Sequence, residues 1–555
     1  MPTRTGPSLA SVPELLEFIG HHLTLPDLAR CTLTCQLWHQ ALSPLLWQTF
    51  DDSLYGWPRI MSALYSEAAT GQRDKAWLDA LFSRYGHHIR TLRIRWHSTV
   101  LAASACGRCT QLISLQSFNF RESLTAGQGK CLDSIRLDMS LSYLYAPRSF
   151  DPLDKILSGL LNLVELSNTL YPMDVNLILQ QLPSLRSING AFKLDTSSIS
   201  FNNIRYFEAT MPLNPLTFRQ CLVKFPNLDC LCLERLLPLP HPTTHNQQQQ
   251  QQIVVQDNYH SISYQLQELR FTKSDYSPTL ETLQQVLFWL PHLRHITLTT
   301  LYKSTADMLV AYCKELESFR LLEDKGFYHA TSSFDASLVL LQGCPKLKVL
   351  DAVQHQIRAE TLLASPPWVC DRLETLRCLI VGVSRLLPQD MKILNDLFVL
   401  RSSKNVFLTK QDRNALQMSR NTMGQQQQVL ERLASLTHLK VLELAFKQPR
   451  DHLRRYGDKN PYVGYFTDTL ELTLDSGLGK LAALKDLEMF GFEGCNHLID
   501  RSELDWMIKS WPRLRAMSGL RQNGLLTSSF EMRKADLRSY MRQIRSDIQQ
   551  HGGGG

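Results

Sequence analysis

The sequence predicts an α/β fold: three short N-terminal helices, then a curved solenoid of strand-plus-helix units. Three observations carry that expectation. The pattern apolar-x-x-apolar-x-apolar recurs along most of the 555 residues. Several copies follow a helix-like run that stops at a proline, as in "LVKFPN", "VLFWLPH", "LLQGCPK" and "MIKSWPR". Proline ends a helix and pushes the residue before it towards extended backbone. The first fifty residues depart from that pattern and carry apolar stripes at helical spacing.

Residues 1–11 carry no apolar periodicity and are expected to be disordered. A helical segment spans 12–50. Pro13 suits a first helical turn, and Glu14 suits the positive end of the helix dipole. Leu15, Leu16, Ile19 and Leu23 follow as one stripe. Pro26 and Asp27 repeat the start signal, and Leu28, Cys31 and Cys35 make a second stripe. Trp38 and Leu42 belong to a third helix, which Pro44 is expected to end or bend. Of the 36 residues from Val12 to Trp47, 19 are apolar. Below about forty residues a domain rarely encloses its own apolar surface. The cover must come from another protein or from the rest of the chain. Residues 51–85 read as a helical connector, with tryptophans and leucines to pack on the first repeats.

From 86 to 525 the repeat dominates. Clear copies start at Leu228, Leu266, Leu293, Leu316, Leu347, Leu373 and Leu439. Looser ones start at Ile89, Leu112, Leu132, Leu163, Leu185, Ile204, Leu484 and Leu514. Spacings such as 23 residues from Leu293 to Leu316 and 26 from Leu347 to Leu373 are those of leucine-rich repeats. No such unit buries its apolar face alone, so neighbours must cover it. Two gaps are longer: 38 residues from Leu228 to Leu266 and 66 from Leu373 to Leu439. They hold glutamine tracts, which cannot pack a core, so insertions near 238–258 and 411–428 are expected to be disordered. Residues 526–555 read as a helical or disordered tail.

The opening segment resembles the F-box family. The matching residues are Val12-Pro13-Glu14-Leu15-Leu16, then Leu23, the pair Asp27-Leu28, Cys35, Trp38 and the closing Leu45-Leu46-Trp47. Here the proline and glutamate are adjacent, where the family has a residue between them, and Val12 replaces a leucine. The resemblance implies docking on a Skp-type adaptor and, through it, on a cullin–RING ubiquitin ligase. It implies adaptor contacts at Val12, Pro13, Leu15, Leu16, Ile19, Leu23, Leu28, Cys31, Cys35, Trp38 and Leu42. With the repeats, and with "LLWQTF", "YGHHIRTLRI" and "LDWMIKSWPRLRAM", the chain resembles fungal-type F-box proteins with divergent leucine-rich repeats.

Strand residues between the leucines point away from the core. They include Arg93, Arg95, Arg136, Arg270, His295 and Arg320, the candidate target-binding residues, with Asp351, Glu443 and Glu488 among later ones. The mixed charge favours a protein partner over nucleic acid. So does the balance of 59 basic against 52 acidic residues, a net charge of +7.

No H-E-x-x-H, G-x-S-x-G or G-x-x-x-x-G-K-[ST] is present, so a non-catalytic role is expected. Cys106 and Cys109 form a lone C-x-x-C without a second pair, and no metal or cofactor site is read. Thirteen scattered cysteines suit a reducing compartment, cytoplasmic and/or nuclear. "MPTRTGPSLA" carries no secretory pattern, and no apolar run nears the roughly twenty residues of a membrane span. The expectation is a substrate-receptor subunit of an SCF-type ligase. The alternative is a leucine-rich-repeat scaffold without a ubiquitin role, its N-terminal helices acting as a cap. A nucleic-acid binder using Arg93, Arg95 and Arg136 is a weaker third.

Overall fold

In the computed structural model, the residues described are 13–51, 80–94, 113–117, 134–137, 163–193, 199–238, 265–273, 278–322, 335–383, 423–444, 469–492, 499–520, 537–544 and 549–550. The chain divides into two compact units, Met1–Leu231 and Cys232–Gly555.

Unit one opens with three helices: α1 (Pro13–Gly20), α2 (Leu25–Thr32) and α3 (Gln36–Trp47). Thr24 caps α2 by accepting from Asp27 N–H, and Pro26 occupies the first turn, where its missing N–H costs nothing. α3 runs through Pro44 to Trp47, where the sequence suggested an end or bend. Pro44 stands one turn from the helix terminus, so few bonds are forfeited. Leu42, Leu45 and Leu46 around it pack in the bundle. Leu16, Leu28 and Leu42 form the bundle core, flanked by Leu23, Leu25, Cys31, Leu37, Trp38, Ala41, Leu45 and Leu46. At Gly20 the helices approach so closely that a Cβ would lie 2.5 Å from Leu45 Cδ1 and 2.8 Å from Leu42 Cδ2.

β1 (Thr49–Asp51) leaves α3 and pairs in parallel with β2 (Thr91–Ile94), with Phe50 opposite Leu92 and Asp51 opposite Arg93. Arg90 N–H and Thr91 N–H both donate to Gln48 O, at 2.9 and 3.0 Å. Phe50 packs on Phe82 with ring centroids 5.4 Å apart, and Trp47 stacks on Tyr85 at 4.4 Å. Part of the apolar excess of the opening segment is therefore covered by its own chain. The parallel ladder continues through β3 (Ser114–Ser117), β4 (Ser134–Leu137), β5 (Glu165–Asp174), β6 (Ser187–Lys193) and β7 (Tyr206–Ala209). α4 (Val175–Gln181) and α5 (Pro215–Lys224) belong to this unit, and Asn214 caps α5 by accepting from Thr217 N–H at 2.9 Å. β8 (Cys230–Leu233) falls where the two units divide.

Unit two repeats the plan. Its strands are β9 (Glu268–Phe271), β10 (His295–Leu298), β11 (Ser318–Leu321), β12 (Val349–Arg358), β13 (Thr375–Val381), β14 (Val441–Glu443), β15 (Met489–Gly491), β16 (Ala516–Ser518) and β17 (Gln549–Gln550). Each pairs in parallel with the next. The helices are α6 (Leu280–Phe288), α7 (Lys303–Tyr312), α8 (Ala336–Gly343), α9 (Ala359–Ala364) and α10 (Arg501–Ser510), the last closed by an Asp500–Glu503 capping box. Trp511, fully buried, donates its indole N–H to Leu481 O at 2.9 Å.

Register aligns one apolar residue per strand. Leu92, Leu166, Ile188 and Phe207 do so in unit one. In unit two the row is Leu269, Ile296, Phe319, Leu350, Leu376, Leu442, Phe490 and Met517. Each is at most 1% exposed, and burying such a side chain contributes about 1.5–3 kcal/mol. The row survives the 66-residue gap: β13 and β14 are neighbours, Leu376 facing Leu442.

Three expectations change. Register sets Leu487, not Leu484, equivalent to Leu439 and Leu514, because Met489 aligns with Val441 and Ala516. The glutamines from 425 to 428, expected in a disordered insertion, lie in a helical run over 423–434. Gln426 is fully buried, and its Oε1 accepts Glu471 N–H at 3.0 Å. A glutamine packs inside when it satisfies a main-chain group that would otherwise be orphaned. Within 526–555, β17 extends the ladder by pairing with β16. All of the insertion near 238–258 beyond Pro238, the pair Cys106–Cys109 and most of the 51–85 connector lie outside the described residues. No helix among the described residues is long and apolar enough to cross a membrane.

Candidate functional site

Two kinds of surface come from this framework. The first is the N-terminal bundle. Leu16, Leu28 and Leu42 are at most 5% exposed. They fill the bundle instead of facing outward as expected of partner contacts. The reason is geometric: a helix of eight to twelve residues has one apolar stripe, and in a three-helix bundle that stripe meets the other helices. Leu15, Leu23, Cys31 and Trp38 are half-buried, Pro13, Ile19 and Cys35 are exposed, and Val12 lies outside the described residues. The large apolar side chains left in water are Phe18 (64% exposed), Ile19 (39%) and Leu33 (85%). Neither Phe18 nor Leu33 is among the adaptor contacts expected from the sequence, where Leu33 stands only beside the second stripe. Phe18 stands two residues beyond Leu16, about 200° around the helix, and that offset was the available signal.

The F-box-like family model matches residues 13–53. That span takes in α1–α3 and β1, so the F-box-like segment includes the strand that joins the sheet. Two solved structures are similar to most of the chain at low identity. One is a chain of the TLR13–ssRNA13 complex, 12% identical with a TM-score of 0.43, matched over 79% of this chain and 53% of that one. The other is an internalin (inlF) from Listeria monocytogenes, 10% identical with a TM-score of 0.24, matched over 85% and 82%. No curated protein matches.

The second surface is the strand face opposite the buried row. Register places Arg93 and Arg136 of unit one in a single row with Asp51, Gln116, Ser167, Asn189 and Glu208. In unit two the same position holds Arg270, Thr297, Arg320, Asp351, Arg377, Glu443, Gly491 and Ser518. His295 sits one row over, opposite Glu268 and Ser318. Arg95 lies outside the described residues. Several of these cations are engaged. Arg93 Nη1 is 3.7 Å from Asp51 Oδ2, a buried carboxylate, and Arg270 Nε is 2.5 Å from Glu268 Oε1. Arg377 is held between Asp351, at 3.1 Å, and Glu443, at 3.2 Å. Glu443 is 1% exposed. Arg320 is exposed and forms no ion pair among the described residues.

A further row stands one residue before each strand from β10 to β16, and its charge alternates: Arg294, Glu317, Lys348, Glu374, Lys440, Glu488, Arg515. From Glu317 onwards each N–H donates to the preceding member's carbonyl, at 2.7–2.8 Å. Lys348 Nζ lies 2.6 Å from Glu317 Oε2, and Lys440 Nζ lies 2.7 Å from Glu374 Oε2. The Lys348 hydrogen bond holds the Glu317 carboxyl below its ordinary range, and the Glu374 hydrogen bond raises the Lys440 ammonium. Glu488 belongs to this row, not to the strand face that its sequence spacing suggested. The alternation was readable as the residue after each first leucine, once Leu487 replaces Leu484. Among the described residues no cluster of histidine, cysteine and carboxylate side chains could hold a metal. The chemistry on offer is charge complementarity and apolar contact, which bind and orient.

Proposed function

We propose that this chain is the substrate-receptor subunit of an SCF-type, cullin–RING ubiquitin ligase. Its F-box-like segment would bind a Skp-type adaptor and its repeats a target protein. The observation that carries this is on the bundle. After its core is filled, Phe18, Ile19 and Leu33 remain in solvent on a segment matched by the F-box-like model. Large apolar side chains left exposed on a bundle whose core is already filled favour a docking surface. The receptor contributes proximity and orientation, not reacting groups. None of the nine cysteines among the described residues is in a disulfide, which fits a reducing compartment, the cytosol or nucleus.

A cap-only reading is favoured by one observation, the pairing of β1 with β2, which makes the segment the first rung of the ladder. The test separates the two. The full chain is incubated with a purified Skp-type adaptor, as wild type and as Phe18→Asp/Leu33→Asp. Both positions are exposed, so the variant keeps the wild-type melting temperature. Adaptor binding is expected to fall by tenfold or more, about 1.4 kcal/mol. Failure of the wild type to bind leaves the cap-only reading standing.

A further inference from the structure

Unit one breaks the alternation. At the position before the strand stand Val164, Arg186, Arg205 and Asp229, joined by the same main-chain bonds of 2.8–2.9 Å. Two guanidinium groups are therefore neighbours, with an aliphatic side chain on one side and a single carboxylate on the other. Arg205 leans towards that carboxylate: its Nη1 is 3.7 Å from Asp229 Oδ1 and 3.1 Å from Asn227 O. Arg186 is exposed and has no ion-pair partner among the described residues.

An open cleft of about 610 Å³ lies at this pair, lined also by Ser184, Asn202, Asn203 and Val164. Its asparagine turn is pinned. Asn203 Nδ2 donates to Pro183 O at 2.7 Å, and Asn227 Nδ2 donates to Asn202 O at 2.9 Å. Among the described residues, the Asn202 amide and the Ser184 hydroxyl stay uncommitted. The cleft thus offers one free guanidinium, a second half-neutralised one and two neutral donors.

We propose that this cleft binds the side-chain oxyanion, phosphate or carboxylate, of an acidic segment of the target protein. In unit two every lysine of the row has a carboxylate on each side. An incoming oxyanion between Arg186 and Arg205 would supply the negative charge that unit one lacks there. Guanidinium–oxyanion hydrogen bonds are charge-assisted and directional, and a phosphate dianion has oxygens enough for both arginines. The proposal deepens the receptor reading and rests on it only in taking the segment to belong to a target.

The test uses the full chain without adaptor, so its failure leaves adaptor capture untouched. The probes are fluorescein-labelled Gly-Ala-X-X-Ala-Gly peptides with X as phosphoserine, glutamate or serine, followed by fluorescence anisotropy. One or both anionic peptides are expected to bind at least about tenfold more tightly than the serine peptide, as hydrogen bonds to charged groups imply. The stronger of the two names the oxyanion. Arg186→Glu/Arg205→Glu is expected to abolish the difference, and Arg186→Gln, which removes a charge with no ion-pair partner among the described residues, to reduce it. Arg320→Glu is expected to leave it intact, and added salt to weaken it. Equal binding of all three peptides, or retention of the preference in the Arg186 variants, overturns the proposal. So does an equal loss in Arg320→Glu, which would mark a diffuse field instead of a site.

Discussion

At Gly491 the absence of one carbon lets a buried carboxylate exist. A Cβ there would lie 2.6 Å from Glu443 Cγ and 2.7 Å from Ser518 Oγ. Glu443 is ion-paired with Arg377, which Asp351 holds from the other side. Removing one partner of a buried ion pair costs more than the pair contributes, because the other charge is left stranded. Arg377→Ala is therefore expected to lower unfolding free energy by about 3–5 kcal/mol, read from the urea midpoint. Gly491→Ala is expected to cost about 1–3 kcal/mol through overpacking. Leu28 carries a similar lesson. From the sequence, Leu28→Asp and Leu16→Asp would abolish adaptor binding while leaving the repeat domain folded. Both side chains are in the bundle core, where an unpaired charge costs several kcal/mol. Limited proteolysis is expected to cut both variants within 13–51, while Phe18→Asp resists like wild type. Protection equal to wild type in Leu28→Asp would contradict this packing.

At the scale of elements, thiols close the helices. Cys313 and Cys344 are the C-cap residues of α7 and α8, their N–H groups donating to Leu309 O and Leu340 O. Burial pushes the thiols of Cys313 and Cys370 up to about 12 and that of Cys344 to about 11, from 9.0. Below pH 9 neither folded nor unfolded chain ionises them, and they leave stability independent of pH. Between pH 9 and their folded values the unfolded chain binds fewer protons, so stability falls as pH rises. The slope reaches about 1.4 kcal/mol per pH unit for each thiol. Urea midpoints from pH 8 to 10.5 check this, and replacing the three by alanine should flatten the added slope. Iodoacetamide at pH 8 should label exposed Cys35 well before these three. Of the elements themselves, those built on strong periodicity were legible. The leucine rows, the three N-terminal helices and the proline-ended helices follow from residue spacing. What a stripe faces was not legible, because spacing fixes a direction around a helix but not what meets it. Leu16 and Phe18 are both apolar and differ only in that direction. Gln426 escaped because composition cannot show that one amide of a tract finds the Glu471 main chain. The Arg186–Arg205 pair escaped because charges were read along the strand faces, whereas these precede the strands.

For the molecule as a whole, the N-terminal segment is continuous with unit one. Deleting residues 1–51 would remove the acceptor for Arg90 and Thr91 N–H, strip Phe82 of Phe50 and open the edge of β2. Bare strand edges invite association between chains. The truncated chain is expected to melt at lower temperature and elute as larger species in size-exclusion chromatography, unlike the Phe18→Asp/Leu33→Asp chain. A deletion therefore confounds loss of docking with loss of folding, and point variants do not. Reversal of Arg93, Arg95 and Arg136 to glutamate, expected from sequence to keep the fold and weaken an acidic target, should likewise destabilise unit one, since it sets a carboxylate against buried Asp51. The row in unit two bears on encounter. Charges of alternating sign, one strand apart at about 4.8 Å, form a high-order multipole. Its potential dies away within about one Debye length of 8 Å, so an approaching molecule meets near-neutrality there. Like neighbours in unit one add as a monopole and reach further. Among these pre-strand positions, Arg186 and Arg205 thus steer an anion from further away, and the alternating row is electrostatically silent until contact.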